Sequence, residues 1–268
     1  MRKDLTPWLN KVHHGDCIAV MNQMPEKSLD LVVTSPPYNL RNSTGGGLRN
    51  GSGGLWENAA LLEGYDGHSD DMPYDMYVGW QRTCLSAMLR LLKETGAIYY
   101  NHKWRVQDGL LQDRHELVAG FPVRQIIIWQ RAGGINFNLK YYLPTYEVIY
   151  LICKPRFRLI SVDPKRPKAA CGFGDIWRIK QDLNNRHPAP FPVEIPKRCI
   201  ESTGAKIVLD PFLGSGTTAV AAEETGVAWV GIDSSLDYCK MAEERLAAFR
   251  VGRPWPPNSK RRKSRDNG

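Results

Sequence analysis

The chain has 268 residues, 42% of them hydrophobic and 24% charged, which suits one large α/β domain with a full core. Its 36 Lys and Arg against 28 Asp and Glu give a formal charge of +8 and an isoelectric point near 9.2, a balance that favours a polyanionic partner because neutralised phosphates release their counterions. No apolar run approaches the ~18 residues of a membrane span, no apolar leader segment follows Met1-Arg2-Lys3-Asp4, and the six cysteines and six histidines lack metal-site spacing; the expectation is a cytoplasmic protein with reduced thiols and no bound metal.

In chain order, Leu29–Thr34 is a short apolar run closed by Pro36-Pro37, the pattern of a buried parallel strand opening into a loop. Residues 39–74 are rich in Gly, Asn and Ser without periodicity, and a loop of that length is functional or disordered. Tyr77, Trp80, Cys84, Met88 and Leu91 then recur at helical spacing, with Gly96 expected just past the helix end. Strand-like runs follow at Ala97–Asn101, Gln125–Trp129 and Val148–Cys153, with a polar, helical segment between them. Residues 154–186 are rich in Lys, Arg and Pro and read as an inserted recognition lobe.

From Ile207 the pattern becomes strand, glycine turn, helix (Thr217–Thr225, ended by Gly226), strand (Trp229–Asp233) and a last helix through Phe249 with Ser234 as its cap. This βαβ unit predicts a doubly wound, Rossmann-like sheet. A single domain over 1–252 is expected, followed by a basic, disordered tail at 253–268.

Two turns carry the chemistry. In Asp210-Pro211-Phe212-Leu213-Gly214-Ser215-Gly216-Thr217-Thr218, glycines between strand and helix let backbone approach a ligand, and the helix start offers N–H groups to a carboxylate or phosphate. Asp233 ends the next strand, near the ~20-residue offset at which a carboxylate meets ribose hydroxyls. An adenosine-containing ligand fits; a dinucleotide also fits this pattern, and a tight turn without a ligand is the bland alternative. In Ser35-Pro36-Pro37-Tyr38, the Ser35 oxygen and the Pro36 carbonyl can both accept from an amino group attached to a nucleobase. That would free a nitrogen lone pair otherwise delocalised into the ring. Pro37 fixes the turn and holds Pro36 extended, and Tyr38 would stack on a base swung out of a duplex. Alone, the tetrapeptide could equally be an ordinary loop.

Together the two motifs resemble those of the amino-methylating DNA methyltransferases, (Asp/Asn/Ser)-Pro-Pro-(Tyr/Phe/Trp) and Phe-x-Gly-x-Gly, in the order of the β-class enzymes, whose fold is a circular rearrangement of the usual methyltransferase sheet. His14-Gly15-Asp16-Cys17, Asp175-Ile176-Trp177 and His187-Pro188-Ala189-Pro190-Phe191-Pro192 resemble three further family segments, although many relatives have Lys where Phe191 stands. The resemblance implies S-adenosylmethionine as cofactor, double-stranded DNA as partner and a homodimer. It also implies a cofactor site built from Asp16, Cys17, His187, Pro188, Ala189, Asp210, Pro211, Phe212, Gly214, Ser215, Gly216, Thr217, Thr218 and Asp233. Ser35, Pro36, Pro37 and Tyr38 would form the catalytic turn.

Ser35 in first position is commonest in the family's cytosine-N4 enzymes, whereas Asn39 after the turn resembles many adenine-N6 enzymes; adenine is the reading taken, with cytosine open. An NAD-dependent oxidoreductase would use the glycine turn and Asp233 but leave Ser35–Tyr38 idle. A non-catalytic DNA-binding module would explain the charge and need neither turn. Glutamine and RNA methyltransferases with a related turn usually carry the glycine motif before the catalytic one, the reverse of the order here.

Overall fold

The computed structural model describes residues 4–39, 72–107, 110–131, 140–163, 165, 171–182 and 191–255. After a short 3-10 turn at Thr6–Trp8 come β1 (Lys11–His14), α1 (Cys17–Gln23), β2 (Leu29–Thr34), α2 (Tyr74–Leu91), β3 (Leu92–His102), the small hairpin β4 (Arg105–Gln107) and β5 (Leu110–Gln112), and α3 (His115–Val118). There follow β6 (Val123–Gln130), β7 (Tyr146–Cys153), β8 (Ile176–Arg178), α4 (Glu194–Thr203), β9 (Ile207–Asp210), α5 (Thr217–Thr225), β10 (Ala228–Asp233) and α6 (Leu236–Arg250).

Eight strands form one sheet in the order β1-β10-β9-β2-β3-β7-β6-β8. Every pairing is parallel except those of β7, which runs against both β3 and β6. The chain order reverses between β9 and β2, so the crevice beyond their carboxyl ends is the topological switch point at which open α/β sheets bind ligands. The late strands β9 and β10 fill the space between the early β1 and β2, which is the circularly rearranged order expected from the motifs.

Strand alternation sorts the core into two layers. Leu31, Val33, Ala97, Tyr99, Ile149, Leu151 and Val208 face one side, where Ile195, Cys199 and Ile200 of α4, the alanines of α5 and Leu246 of α6 cover them. Their neighbours Val32, Ile98, Tyr100, Val148, Tyr150 and Leu209 face the other, under Met21 of α1, Tyr77, Cys84 and Met88 of α2, and Leu117 of α3. Helical periodicity on one side meets period-two strands on the other, so each layer is closed by the pattern the sequence carries.

Three boundaries differ from the sequence reading. Gly96 does not end α2; it lies inside β3, where a Cβ would come within 3.0 Å of the Asp30 carbonyl and 2.9 Å of Leu92 Cδ2, next to an irregularity in the β2–β3 register. The glycine there permits close strand approach. The last helix is capped by Ser235, whose Oγ accepts from the Tyr238 N–H at 3.1 Å, while the Ser234 carbonyl lies 3.1 Å from His14 Nε2. Within 154–186, β8 adds a parallel edge strand to β6, and Phe157, Trp177 and Ile179 belong to the core. The long loop lies almost wholly outside the described residues, as does the tail beyond 255.

Candidate active site

The two turns face each other across the switch point, one leaving β9 and the other leaving β2. Asp210, the last residue of β9, joins them: its Oδ1 accepts from Thr34 Oγ1 (2.7 Å) and the Phe212 N–H (3.1 Å), and its Oδ2 accepts from Thr218 Oγ1 (2.6 Å). Burial pushes its carboxyl up from 3.8 to about 6, against the opposing pull of these donors. Asp210 and Thr218 therefore brace the turn from within; each is 1% exposed.

Leu213 ties the glycine turn to β10 by donating its N–H to the Ile232 carbonyl at 2.9 Å. The Gly214 N–H donates to Asp233 Oδ2 at 2.7 Å, and the Ser235 N–H to Oδ1 at 2.9 Å. Gly214 and Gly216 hold φ of 52° and 82°, the left-handed region that favours glycine, and α5 begins at once with Thr217. Arg245 of α6, buried and with its pKa lowered by desolvation, donates to the Ser215 carbonyl and Oγ at 3.2 Å each and to Thr217 Oγ1 at 2.9 Å. It also lies 3.7 Å from Asp182, immediately before 183–190. Pro211 is buried, and Phe212 packs edge-on against Trp80 with ring centroids 5.6 Å apart.

β1 lies beside β10, with His14 opposite Asp233, and the Gly15 N–H donates to the Asp233 carbonyl at 2.9 Å. Asp16 is thus brought next to Asp233. It is exposed and caps α1 by accepting from the Ala19 N–H at 2.8 Å. Cys17 turns into the core, its sulfur 3.7 Å from that of Cys84, so any part it plays toward a ligand falls to its main chain. Adenosine offers hydroxyl and amino hydrogens, and two carboxylates at adjacent strand ends beside a glycine turn are the complementary acceptor set. His187, Pro188 and Ala189 lie outside the described residues; Phe191, just after them, packs into the core.

The Ser35–Tyr38 turn is held by side chains from distant elements. The Tyr77 hydroxyl of α2 donates to the Pro37 carbonyl (2.8 Å) and lies 2.7 Å from His102 Nε2, while Gln81 Nε2 approaches the same carbonyl at 3.3 Å. Tyr100 OH donates to Gln81 Oε1 at 2.6 Å and so orients that amide. The Tyr38 ring lies against His102, centroids 4.7 Å apart, and Tyr38 is only 4% exposed. Its hydroxyl is 2.7 Å from Ser35 Oγ, donates to Glu147 Oε2 at 3.0 Å and accepts from Asn101 Nδ2 at 2.7 Å. Asn101 Nδ2 also reaches Glu147 Oε2 at 2.8 Å, leaving Asn101 Oδ1 buried without a partner. Arg131 pairs with the other Glu147 oxygen at 3.1 Å. Asn39, at φ 55°, ends the turn by donating to the Met72 carbonyl at 2.7 Å.

Gln81, Asn101, His102, Arg131, Glu147 and Arg245 lie outside both sequence motifs, and the helical spacing of Tyr77 marks it only as part of a core stripe. The available signal was polarity out of place: Asn101-His102 ends an apolar strand and Glu147 opens one, each at the edge that faces the switch point. Among the described residues no cluster of three metal-binding side chains occurs, and no helix is long and apolar enough to cross a membrane.

A glycine turn and a Ser-Pro-Pro-Tyr turn on opposite sides of the switch point of a doubly wound sheet define an amino-methylating methyltransferase. Residues 29–244 match the model of the N6/N4 methylase family, described as DNA methylase, and the chain belongs to that family. It is therefore a DNA methyltransferase. Two relatives are Type II methyltransferases: M.BglII of Bacillus subtilis, 26% identical over 280 residues that cover 89% of this chain and 69% of that protein, and M.ScaI of Streptomyces caespitosus, 27% identical over 274 residues that cover 88% and 81%. Among solved structures, the fold matches TTHA0409 of Thermus thermophilus complexed with S-adenosyl-L-methionine (TM-score 0.63, 24% identity, 89% of this chain and 93% of that one). It also matches the cytosine-N4-specific PvuII DNA methyltransferase (TM-score 0.65, 17% identity, 90% of each chain).

Proposed function

We propose that the protein transfers a methyl group from S-adenosylmethionine directly to the exocyclic amino nitrogen of a base swung out of double-stranded DNA. The observation that supports it best is the juxtaposition of the two turns through Asp210, which accepts from Thr34, the residue before Ser35, and from Thr218 at the start of α5. The cofactor supplies an activated methyl on a sulfonium centre. Asp16 and Asp233 would hold its adenosine, with the backbone of Gly214–Thr217 and the segment His187–Ala189 completing the site. Ser35 Oγ and the Pro36 carbonyl would accept the two amino hydrogens. Tyr77 and Gln81 fix the Pro37 carbonyl, so the Pro36–Tyr38 backbone is set before a base arrives, and catalysis is chiefly positioning and polarisation.

The target we propose is adenine N6, on the Pro-Pro-Tyr-Asn sequence. Cytosine N4 is the second reading. It is favoured by Ser35 in first position and by the engagement of Asn39 with the Met72 carbonyl, which accounts for that asparagine without reference to a base. Mass spectrometry of nucleosides from treated DNA separates them: N6-methyladenine or N4-methylcytosine names the base, and neither product would sink the function. Residues 39–74 and 154–186 are proposed as the segments that meet DNA; the basic 260–265 is proposed as a solvated end, so that its removal should leave the salt dependence of binding unchanged, whereas a lowered salt dependence would mark a phosphate contact there. The working assembly is proposed to be a cytoplasmic homodimer, which sedimentation of the purified chain tests.

A further inference from the structure

We propose that Glu147 is a positioning residue for the reaction: it sets the direction of the Ser35 hydroxyl through Tyr38 and receives the proton released when the amino group is methylated. The inference rests on the reading of Ser35 as an acceptor for that group. Glu147 is on β7, remote in sequence from the turn, and 7% exposed. As a carboxylate it can only accept, so Tyr38, 3.0 Å away, spends its one hydrogen on Glu147 Oε2. Asn101 Nδ2 reinforces this by donating to both Tyr38 OH and Glu147 Oε2. With its hydrogen committed, the Tyr38 oxygen accepts from Ser35 across their 2.7 Å contact. The Ser35 hydrogen therefore points back into the protein; Asn101 Nδ2 donates to its oxygen only at the long distance of 3.4 Å, and the second lone pair is left for an incoming N–H. Without an obligate acceptor at the end of the chain, the two hydroxyls could reverse and Ser35 would present a donor to a donor.

The same chain is a path for a proton. As the nitrogen–carbon bond forms and the carbon–sulfur bond breaks with its electron pair left on sulfur, the nitrogen carries one proton too many. That proton passes to Ser35 Oγ, the Ser35 proton to Tyr38 and the Tyr38 proton to Glu147, which becomes the acid and returns it to solvent after product leaves. Among the described residues, the ionisable groups facing Glu147 are Tyr38 from the turn and Arg131 after β6, with His102 of β3 behind the Tyr38 ring.

The test is a double-mutant cycle on the full chain with DNA and S-adenosylmethionine. Glu147→Gln is expected to lower kcat by about 10²-fold and to leave the affinities for DNA and methyl donor within about threefold of wild type. In a Tyr38→Phe background, which keeps a ring but cuts the chain, Glu147→Gln should add less than about threefold. An equal loss in both backgrounds, or a loss confined to the affinities with kcat unchanged, would mean that Glu147 serves only as the partner of Arg131 and would overturn the proposal. If Glu147→Gln does not fold, Tyr38→Phe alone decides, since the Glu147–Arg131 pair survives in it: loss of kcat with DNA and donor affinities kept supports the path, and wild-type turnover ends it. Failure of the underlying reading is distinguishable, because wild-type protein would then leave no methylated amino group in DNA.

Discussion

The glycine turn and the Ser-Pro-Pro-Tyr turn sit on either side of one crevice yet are held by different means. The first is stitched mainly by neighbours in sequence: Asp210 to Thr218, Asp233 to Gly214 and Ser235, with backbone amides among the donors. The second draws on Tyr77, Gln81, Asn101, His102 and Glu147, and the contact between Tyr38 and Glu147 spans 109 residues of chain. A turn built from its own backbone forms wherever its strand–turn–helix unit forms. A turn built from remote side chains is correct only after the whole sheet has closed. Substitutions should therefore reach stability on one side and turnover on the other.

The largest effect expected is on the pH dependence of stability. The folded-state pKa of Asp210 is raised, to about 6, so its contribution is fully present below the unfolded value of 3.8 and is lost as pH rises through 6; the difference amounts to about 3 kcal/mol. Asp210→Asn should remove that slope, seen as a flatter dependence of the urea midpoint between pH 4 and 6, and an unchanged slope would mean that the carboxyl titrates normally. Next, Ser35→Ala should cut kcat by about 10²-fold, about 2.7 kcal/mol, while sparing donor binding; equal loss of both would erase the distinction between the turns. Gly231→Ala places a methyl 2.5 Å from Leu213 Cδ2, beneath the glycine turn, and should cost about 1–3 kcal/mol of stability by denaturant titration, with the residual folded protein active. Tyr77→Phe frees the Pro37 carbonyl from its best donor and should lower kcat about tenfold with little loss of stability, whereas a comparable shift in melting would make Tyr77 a core residue first.

The same contrast explains what could be read from sequence. β2, β9 and α5 have the bounds expected from their residues, because apolar runs, a glycine turn and Gly226 are local signals. The turn residues Ser35–Tyr38 were legible as a motif, but not the side chains that hold them, since nothing in residues 29–39 states which distant Asn or Glu arrives. Gly96 misled for a related reason: a glycine after a helical stripe looks like a terminator, and only the neighbouring Asp30 carbonyl reveals why β3 needs it. Likewise β8 was hidden by the polarity of 154–186, because three residues at a sheet edge are too few to set a period.

The reversed direction of β7 has one more consequence. Seven strands deliver their carboxyl ends to the crevice, where a side chain is followed at once by loop, and each such residue is tied to the fate of that loop. Among the described strands of this sheet, β7 alone delivers its beginning. Glu147 therefore has six strand residues after it as an anchor, of which Val148 and Ile149 lie opposite His102 and Asn101 of β3. The sheet thus fixes Glu147 from behind, so that its place at the crevice depends on strand pairing rather than on the loop ahead of it.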